Sequence, residues 1–175
     1  MLGSSAGGFM SVIIGQILNA ESIYSFNGQF EILSLLKNPN AEISDPIVFR
    51  NKNNAELLPY YDSLNFIKNP SSIFYFHSAK SRTDITQLKH IVSVPINIIK
   101  FKTSNHGIPF LKSNLPIVLN YSTDDLKKYA GKKIHPLCFS FKIDGIYKTV
   151  LGFKSVFNFI VNKIYIRFFQ SSKND

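Results

Sequence analysis

The sequence contains little of what several protein classes require. Its 175 residues include one cysteine, Cys138, and no tryptophan. A single cysteine excludes an internal disulfide framework and a cysteine-rich zinc site, and it suits a reducing compartment. No stretch of about twenty uncharged apolar residues occurs, and the N-terminal segment lacks the basic start and cleavage region of a secretory signal. We therefore expect a cytoplasmic protein, with a peripheral position at the inner face of the membrane as the alternative.

Acidic residues are scarce in the second half of the chain. The sequence has 20 Lys and Arg against 11 Asp and Glu, a net charge of +9 at pH 7. Residues 1–87 carry a net charge of −1, whereas residues 88–175 carry +10. Lysine in excess, beside abundant Asn, Ile and Phe, is as typical of an AT-rich genome as of a functional basic face. Because no nucleic-acid-binding motif accompanies the charge, we do not expect a nucleic-acid partner.

Apolar residues are abundant and occur in short runs. With 45% hydrophobic and 14% aromatic residues, the chain can bury a sizeable core and fits one domain plus an extension. Three near-continuous apolar runs, at 22–26, 73–77 and 96–101, are typical of strands buried on both faces. Helical patterns occur at 7–18, 30–36, 55–64 and 83–90. The sequence therefore predicts an α/β fold with a short parallel sheet of about three strands flanked by helices.

The motif that carries chemistry lies at residues 3–7, where Gly-Ser-Ser-Ala-Gly matches Gly-x-Ser-x-Gly. This pattern is typical of the nucleophile elbow, a sharp strand-to-helix turn in which small residues flank a strained, exposed serine. The helical pattern at 7–18 directly follows it, as an elbow requires. Ser5 is therefore the candidate nucleophile. The alternative is an ordinary small-residue turn before a helix.

Candidate partners for Ser5 follow the second and third of the three apolar runs. In open parallel sheets, catalytic groups collect at the carboxyl ends of the strands. Asp84 comes after the run at 73–77, and His106 comes after the run at 96–101. The chain order Ser, Asp, His is the order used by hydrolases built on this elbow.

Each of these partners has a plainer interpretation. Asp84 could be a helix N-cap or a first-turn acid that interacts with the helix dipole. His106 could be a surface residue in a turn. The weaker candidates are His77 as a rival base, Asp62 and Glu31 as reserve acids, and His90 and His135 as solvated residues.

Three segments carry a resemblance to a known family. These segments, at residues 2–9, 19–30 and 104–110, are similar to hydrolase-like proteins of bacterial surface-polysaccharide loci. More broadly, the elbow at residues 3–7 and the sequence after it resemble the C-terminal portion of an α/β-hydrolase fold protein. The resemblance covers residues 1–120. It implies Ser5 as nucleophile, His106 as base, Asp84 as orienting acid and the Ala6 N–H as an oxyanion donor. The implied activity is a serine esterase or acyltransferase acting on an acyl or glycan substrate, without a metal or organic cofactor.

The chain also departs from that family. A complete fold of this kind has strands before the elbow and a loop that supplies a second oxyanion donor, whereas only two residues precede Gly3. We therefore expect a C-terminal fragment, a split gene product or a misplaced start, with little activity alone. Accordingly, the sequence predicts the C-terminal part of a hydrolase-like domain at residues 1–121.

Residues 122–175 are predicted to form a basic, mainly helical, amphipathic extension. Within it, residues 147–169 combine a broad apolar face with lysines and an arginine. Such a helix can lie on an anionic membrane surface, or its apolar face can pack against the sheet or a partner. The alternative function is therefore a non-catalytic scaffold or membrane-surface interaction protein of a polysaccharide assembly system. The oligomeric state is not predicted.

Overall fold

The fold is built around a parallel β-sheet. The structure is a computed structural model that describes the backbone of residues 1–170 and the side chains of residues 1–154. Within that range, five strands lie side by side in chain order, and each neighbouring pair is parallel. They are β1 (Leu2–Ser4), β2 (Ile23–Phe26), β3 (Ile73–Ser78), β4 (Asn97–Phe101) and β5 (Lys133–Ile134). The predicted α/β class with a parallel sheet is confirmed.

The number of strands differs from the prediction. The sequence predicts about three, which correspond to β2, β3 and β4, and the structure adds β1 and β5 at the two edges. These edge strands have only three and two residues, too few to form an apolar run or an alternating pattern. Their backbones pair with a longer neighbour, Gly3 with Ser25 and Phe101 with Ile134. The prediction of three strands was wrong because backbone pairing leaves no signature in so short a segment.

Helices follow the strands at the positions that the apolar spacing indicates. The helix predicted at 7–18 spans Ala6–Ile17, and the one predicted at 83–90 spans Arg82–His90. The short helices predicted at 30–36 and 55–64 are instead 3₁₀ turns at Leu33–Lys37, Leu58–Tyr61 and Ser63–Phe66. The α-helices are α1 (Ala6–Ile17), α2 (Ala41–Ser44), α3 (Pro46–Asn51), α4 (Arg82–His90), α5 (Leu115–Leu119), α6 (Thr123–Lys127) and α7 (Pro136–Gln170).

The core lies on the central strands. Every residue of β3 is buried, as expected for a strand with neighbours on both sides and covered faces. Phe30 packs edge-on against Tyr75 with ring centroids 4.9 Å apart. Each such buried side chain contributes about 1.5–3 kcal/mol to folding. The cluster around this pair also contains Val12, Ile23, Ile73, Ile91 and Ile96.

The chain divides into two compact units. The first comprises Met1–Pro109 and Tyr121–His135 and contains the whole described sheet. The second comprises Phe110–Asn120 and the segment from Pro136 onward. Residues 122–135, predicted from sequence to belong to the C-terminal extension, include α6 and β5, and β5 pairs with β4 of the sheet.

The second unit is organised around a buried asparagine. Asn114 accepts a hydrogen bond from Ser140 Oγ and donates one to Asp144 Oδ2 at 3.2 Å. Helix α7 is interrupted at Gly145, whose φ of 76° a side chain would disfavour. Within the described residues, no helix combines the length and the apolar character that crossing a membrane requires. The predicted apolar face at 147–169 lies outside the described side chains from residue 155 onward.

Candidate active site

Ser5 occupies a strained turn between β1 and α1. Its φ of 54° and ψ of −123° are unusual for a residue with a side chain. The Ser5 N–H donates to the Phe26 carbonyl at 3.0 Å, and the Ser5 carbonyl accepts from the Phe9 N–H at 3.1 Å. The turn is therefore held at both ends, by the sheet and by the first turn of the helix. This backbone geometry is the one that the Gly-x-Ser-x-Gly pattern predicts.

Glycines around Ser5 are required by close backbone approach. A Cβ at Gly3 would lie 2.0 Å from the carbonyl oxygen of Gly7, so the two motif glycines meet across the turn. A Cβ at Gly8 would lie 2.7 Å from Gly28 Cα, and one at Gly28 would lie 2.0 Å from Ser25 Oγ. The start of α1 therefore packs directly on the loop that follows β2. The need for glycine at position 28 was not predicted, because no recognisable sequence motif surrounds this residue.

The three residues predicted as a triad form a continuous hydrogen-bonded chain. Ser5 Oγ lies 2.9 Å from His106 Nε2, and His106 Nδ1 lies 2.8 Å from Asp84 Oδ1. Ser5 follows β1, Asp84 lies in the first turn of α4 after β3, and His106 lies in the loop after β4. The parallel sheet brings them together because these strand ends meet at one edge.

The hydrogen-bonded side chains differ in their exposure to solvent. Asp84 is fully buried, while the His106 side chain is 39% exposed. An ionised carboxylate can only accept hydrogen bonds, so Nδ1 of the neutral imidazole carries the hydrogen and Nε2 presents its lone pair to Ser5. The arrangement can therefore take a proton from the serine hydroxyl. The exposed edge of the ring leaves the reacting atoms accessible.

The N-cap of α4 is Ser81 and not Asp84. Ser81 Oγ accepts a hydrogen bond from the Asp84 backbone N–H at 3.4 Å. Asp84 lies in the first helical turn, where a negative charge interacts favourably with the helix dipole. Its carboxylate oxygen Oδ1 is directed to His106. The capping role considered from sequence therefore belongs to Ser81, and the first-turn position and the contact with His106 coexist at Asp84.

Buried polar groups of β3 surround the carboxylate of Asp84. The Tyr75 hydroxyl, His77 Nδ1 and Asp84 Oδ2 are buried and have no hydrogen-bond partner among the described residues. Burial, reinforced by the charge of Asp84, raises the pKa of Tyr75 above its ordinary value. Burial also lowers the pKa of His77 to about 4, against the opposing effect of Asp84 and with smaller contributions from Lys100 and Lys133. His77 is therefore neutral at pH 7, and the histidine that contacts Ser5 is His106.

Ala6, the predicted oxyanion donor, is the first residue of α1 and is exposed. The first N–H groups of a helix have no intrahelical acceptor, and the helix dipole makes this end favourable for negative charge. The Ala6 N–H adjoins the nucleophile in sequence and belongs to this terminus. It is therefore available to an oxyanion that forms beside Ser5.

The reserve acids form contacts away from the triad. Both carboxylate oxygens of Asp62 lie 3.0 Å from His90 Nε2, and both side chains are partly exposed. Glu31 accepts the backbone N–H of Ser34 at 3.0 Å. Neither acid has a hydrogen bond to His106 in the described structure.

Asn27 is a residue of this region that the sequence analysis missed. It directly follows β2, is fully buried and has a φ of 46°. Its side chain hydrogen bonds to Ser78 and to the backbone carbonyls of Asn105 and Gly107, on either side of His106. The sequence carries no signal for this role, because the partners of the side chain are mostly backbone groups far along the chain.

Within the described residues, no group of three His, Cys, Asp or Glu side chains could hold a metal ion. Comparison of the chain with protein-family models, curated proteins and solved structures gives no match. Functional inference therefore rests on the geometry of the site.

Proposed function

We propose that this chain is a serine hydrolase of the α/β-hydrolase type, acting as an esterase or acyltransferase. The observation that carries the proposal is the hydrogen-bonded chain from Ser5 Oγ through His106 to the buried Asp84. The strained backbone of Ser5 supports it independently, since such strain is common where a nucleophile is exposed. Ser5 is the nucleophile, His106 the general base and Asp84 the group that orients and stabilises the imidazole.

The reaction begins when His106 Nε2 accepts the hydroxyl proton of Ser5. Oγ then forms a bond to the carbonyl carbon of an ester, and the carbonyl oxygen becomes an oxyanion that the Ala6 N–H stabilises. His106 returns the proton to the leaving alkoxide as its bond to the carbonyl carbon breaks. Water or an acceptor hydroxyl next gives a proton to His106 and attacks the carbonyl carbon of the acyl-enzyme. As the bond from that carbon to Ser5 Oγ breaks, His106 returns the proton to Oγ, which restores the free enzyme.

The proposed substrate class is an O-acylated carbohydrate, in the assembly of a bacterial surface polysaccharide. This part of the proposal rests on the resemblance of residues 2–9, 19–30 and 104–110 to hydrolase-like proteins of such loci. With water as acceptor the protein is an esterase, and with a sugar hydroxyl it is an acyltransferase. The chemistry needs no metal or organic cofactor, because Ser5 and His106 supply the nucleophile and the base.

The direct test is covalent labelling of the purified chain with a fluorophosphonate, which reacts with activated serines. We expect the wild type to be labelled, since labelling requires an activated Ser5 but not the turnover that the sequence predicts to be low, and we expect Ser5→Ala to be unlabelled. Ser4→Ala is the matched control, since Ser4 is an exposed serine one position earlier and ends β1. Equal labelling of wild type and Ser5→Ala, or no labelling of the wild type, would contradict the proposal.

A second measurement separates hydrolysis from transfer. Unlabelled protein from a preparation that reacts with the fluorophosphonate is incubated with p-nitrophenyl acetate, with and without a mixture of monosaccharides. An acyltransferase produces acetylated sugar, detected by mass spectrometry, while an esterase produces only acetate. If neither product forms although Ser5 reacts with the fluorophosphonate, this acetyl ester is not a substrate of the chain.

Exposed apolar residues of α7 favour a second candidate function, binding to an anionic membrane surface. Ile146, Val150 and Phe153 recur at helical spacing and are each more than half exposed. The exposed Lys148 lies in the same helical stretch. An amphipathic basic helix of this kind binds anionic lipid through buried apolar area and charge attraction.

Vesicle sedimentation tests this second candidate. We expect the chain to sediment with vesicles containing phosphatidylserine and to stay in solution with vesicles of phosphatidylcholine alone. The double substitution Val150→Asp and Phe153→Asp should abolish sedimentation. Unchanged sedimentation of that variant, or none for the wild type, would exclude α7 as a membrane-binding surface.

A further inference from the structure

Asn27 makes contacts that converge on the loop carrying His106. Its Nδ2 donates to the carbonyl of Gly107 at 2.7 Å and to that of Asn105 at 3.0 Å. These two carbonyls belong to the residues immediately before and after His106. The side chain therefore holds the backbone on both sides of the candidate base.

The same asparagine is itself held firmly at the ends of two strands. Its backbone N–H donates to the Phe76 carbonyl at 2.9 Å, and its Oδ1 accepts the Ser78 N–H at 2.7 Å. The Ser78 hydroxyl in turn donates to the Asn105 carbonyl, which adds a second support to the loop. Asn27 thus connects the end of β2, the end of β3 and the loop after β4 in one buried network.

The loop has few other supports near His106. Ser104 and Asn105 are exposed, and among the described residues Asn105 bonds through its side chain to Gly107 and Ile108 and through its N–H to Thr103, all within the same loop. A base must lie within about 2.6–3.2 Å of the group whose proton it takes. A displacement of about 1 Å at such a site can reduce the rate by about 10². The position of the loop therefore decides whether His106 can bridge Ser5 and Asp84.

We propose that Asn27 is a positioning residue, whose carboxamide fixes the two carbonyls flanking His106 and so holds the ring between Ser5 and Asp84. This inference rests on the proposed function, because it concerns the base of that reaction. Asparagine suits the position on two grounds. Its short polar side chain tolerates a positive φ, and its amide nitrogen, which carries two hydrogens, lies within hydrogen-bond distance of both carbonyls and of Ser78 Oγ.

Two substitutions separate these requirements. Asn27→Gly keeps the positive φ and removes the amide, while Asn27→Asp keeps the shape and replaces the NH₂ group with an oxygen facing two carbonyls. We expect either change to slow fluorophosphonate labelling of Ser5 by about 10² per folded molecule. The matched control is Asn114→Asp, a fully buried asparagine of the second unit, which should lose stability without changing that rate.

A second measurement does not depend on reactivity. Nitrogen NMR of the His106 ring should show one tautomer in the wild type, with Nδ1 protonated, and a mixture in Asn27→Gly, since the ring is then no longer held against Asp84. A purely structural role would leave this signal unchanged in the folded protein. An unlabelled wild type with altered His106 signals in Asn27→Gly would contradict the proposed function and support the positioning role.

The inference is overturned if folded Asn27→Gly keeps both the wild-type labelling rate and the wild-type His106 signals. If both Asn27 variants fail to fold, Ser78→Ala decides, because it removes the hydroxyl that donates to the Asn105 carbonyl and accepts from Asn27 Nδ2, and leaves the Asn27 side chain in place. We expect that variant to label about tenfold more slowly, since the loss of a buried hydrogen bond costs about 1 kcal/mol. An unchanged labelling rate and unchanged His106 signals in Ser78→Ala would then count against the proposal.

Discussion

At the scale of single residues, Asp84 is the group on which the site depends most. It is a fully buried carboxylate with one oxygen bonded to His106 and the other without a partner among the described residues. Such a group is costly to bury unless hydrogen bonds replace those that it made to water. The contact with His106 stabilises the folded protein and also orients the imidazole. The hydrogen bond between Asp84 and His106 is therefore needed both for the stability of the fold and for the proposed reaction.

Replacing that acid tests its orienting role. In Asp84→Asn the amide can donate to His106 Nδ1, which favours the tautomer with the hydrogen on Nε2 and removes the acceptor for the Ser5 proton. We expect labelling of Ser5 to fall by about 10⁴, the loss typical of this change in serine triads. Asp62→Asn, which alters the separate contact with His90, is the control and should label normally. Equal rates for both variants would contradict the role of Asp84.

His77 makes stability depend on pH. Its pKa is lowered to about 4 in the folded protein, chiefly by burial, with Asp84 opposing and Lys100 and Lys133 adding to the shift. The unfolded chain therefore binds a proton below about pH 6.5 that the folded chain does not bind until about pH 4. The stability contribution is present above pH 6.5 and is lost as the pH falls towards 4.

Urea unfolding at pH 7 and pH 5 measures this effect. We expect the His77 contribution to reduce the free energy of unfolding by about 2 kcal/mol between these two pH values. His77→Gln, which has no titrating group, should show a smaller decrease by that amount. A decrease of the same size in wild type and variant would show that His77 titrates alike in both states.

At this scale, the proximity of Ser5, Asp84 and His106 was predictable from sequence, whereas the contacts of Asn27 were not. Ser5, Asp84 and His106 each stand at or after a strand end in a known chain order, so pattern alone associates them. Asn27 is recognisable only once the loop at residues 105–107 is placed beside it. A side chain that binds backbone carbonyls leaves no complementary residue type to search for.

At the scale of secondary structure elements, the junction of β1 and α1 has the strictest requirements. Gly3 and Gly7 meet across the turn, yet their environments differ. A Cβ at Gly3 would lie 2.0 Å from a backbone oxygen, whereas a Cβ at Gly7 would have nothing within 4 Å. Gly3 is therefore required by the close approach of the backbone, whereas the space around Gly7 would accommodate a side chain.

Alanine substitutions should separate them. Gly3→Ala forces the backbone of the turn apart, so we expect a lower free energy of unfolding and loss of Ser5 labelling. Gly7→Ala replaces a flexible residue in an exposed helical turn and should raise the free energy of unfolding by about 0.5–1 kcal/mol. Denaturant unfolding of both variants measures the difference. Equal effects of the two substitutions would contradict the geometry of the turn.

The elements that could be predicted are those whose apolar pattern is long enough to be distinctive. The bounds of the apolar runs in β2, β3 and β4 agree with the structure to within one residue, and β3 is buried throughout while β4 is buried in part. The stretch from residue 28 to 70 was less predictable, because 3₁₀ turns there replace the helices that its apolar residues indicate. Burial of a few anchors such as Phe30 overrides local helical preference.

At the scale of the whole molecule, the candidate site belongs entirely to one unit. Ser5, Asp84, His106 and Asn27 all lie within Met1–Pro109. The exposed apolar residues of α7 belong to the second unit. The catalytic proposal and the membrane proposal therefore concern separate parts of the chain and can be tested independently.

Salt should separate the two activities. The net charge of +9 attracts anionic lipid over distances that salt screens, since the Debye length falls from about 10 Å at 0.1 M salt to about 3 Å at 1 M. We expect sedimentation with anionic vesicles to decline steeply over this range. The rate of Ser5 labelling depends on short hydrogen bonds and should change by less than about twofold. Parallel loss of both would contradict their independence.

The central claim is that His106 activates Ser5, and site-mapped mass spectrometry tests it most directly. Wild type, Ser4→Ala and His106→Ala are treated with the fluorophosphonate and digested, and the adduct is located by peptide sequencing. The account predicts an adduct on Ser5 in wild type and Ser4→Ala and none in His106→Ala. An adduct of equal yield in His106→Ala, or the absence of any adduct on Ser5, would contradict it.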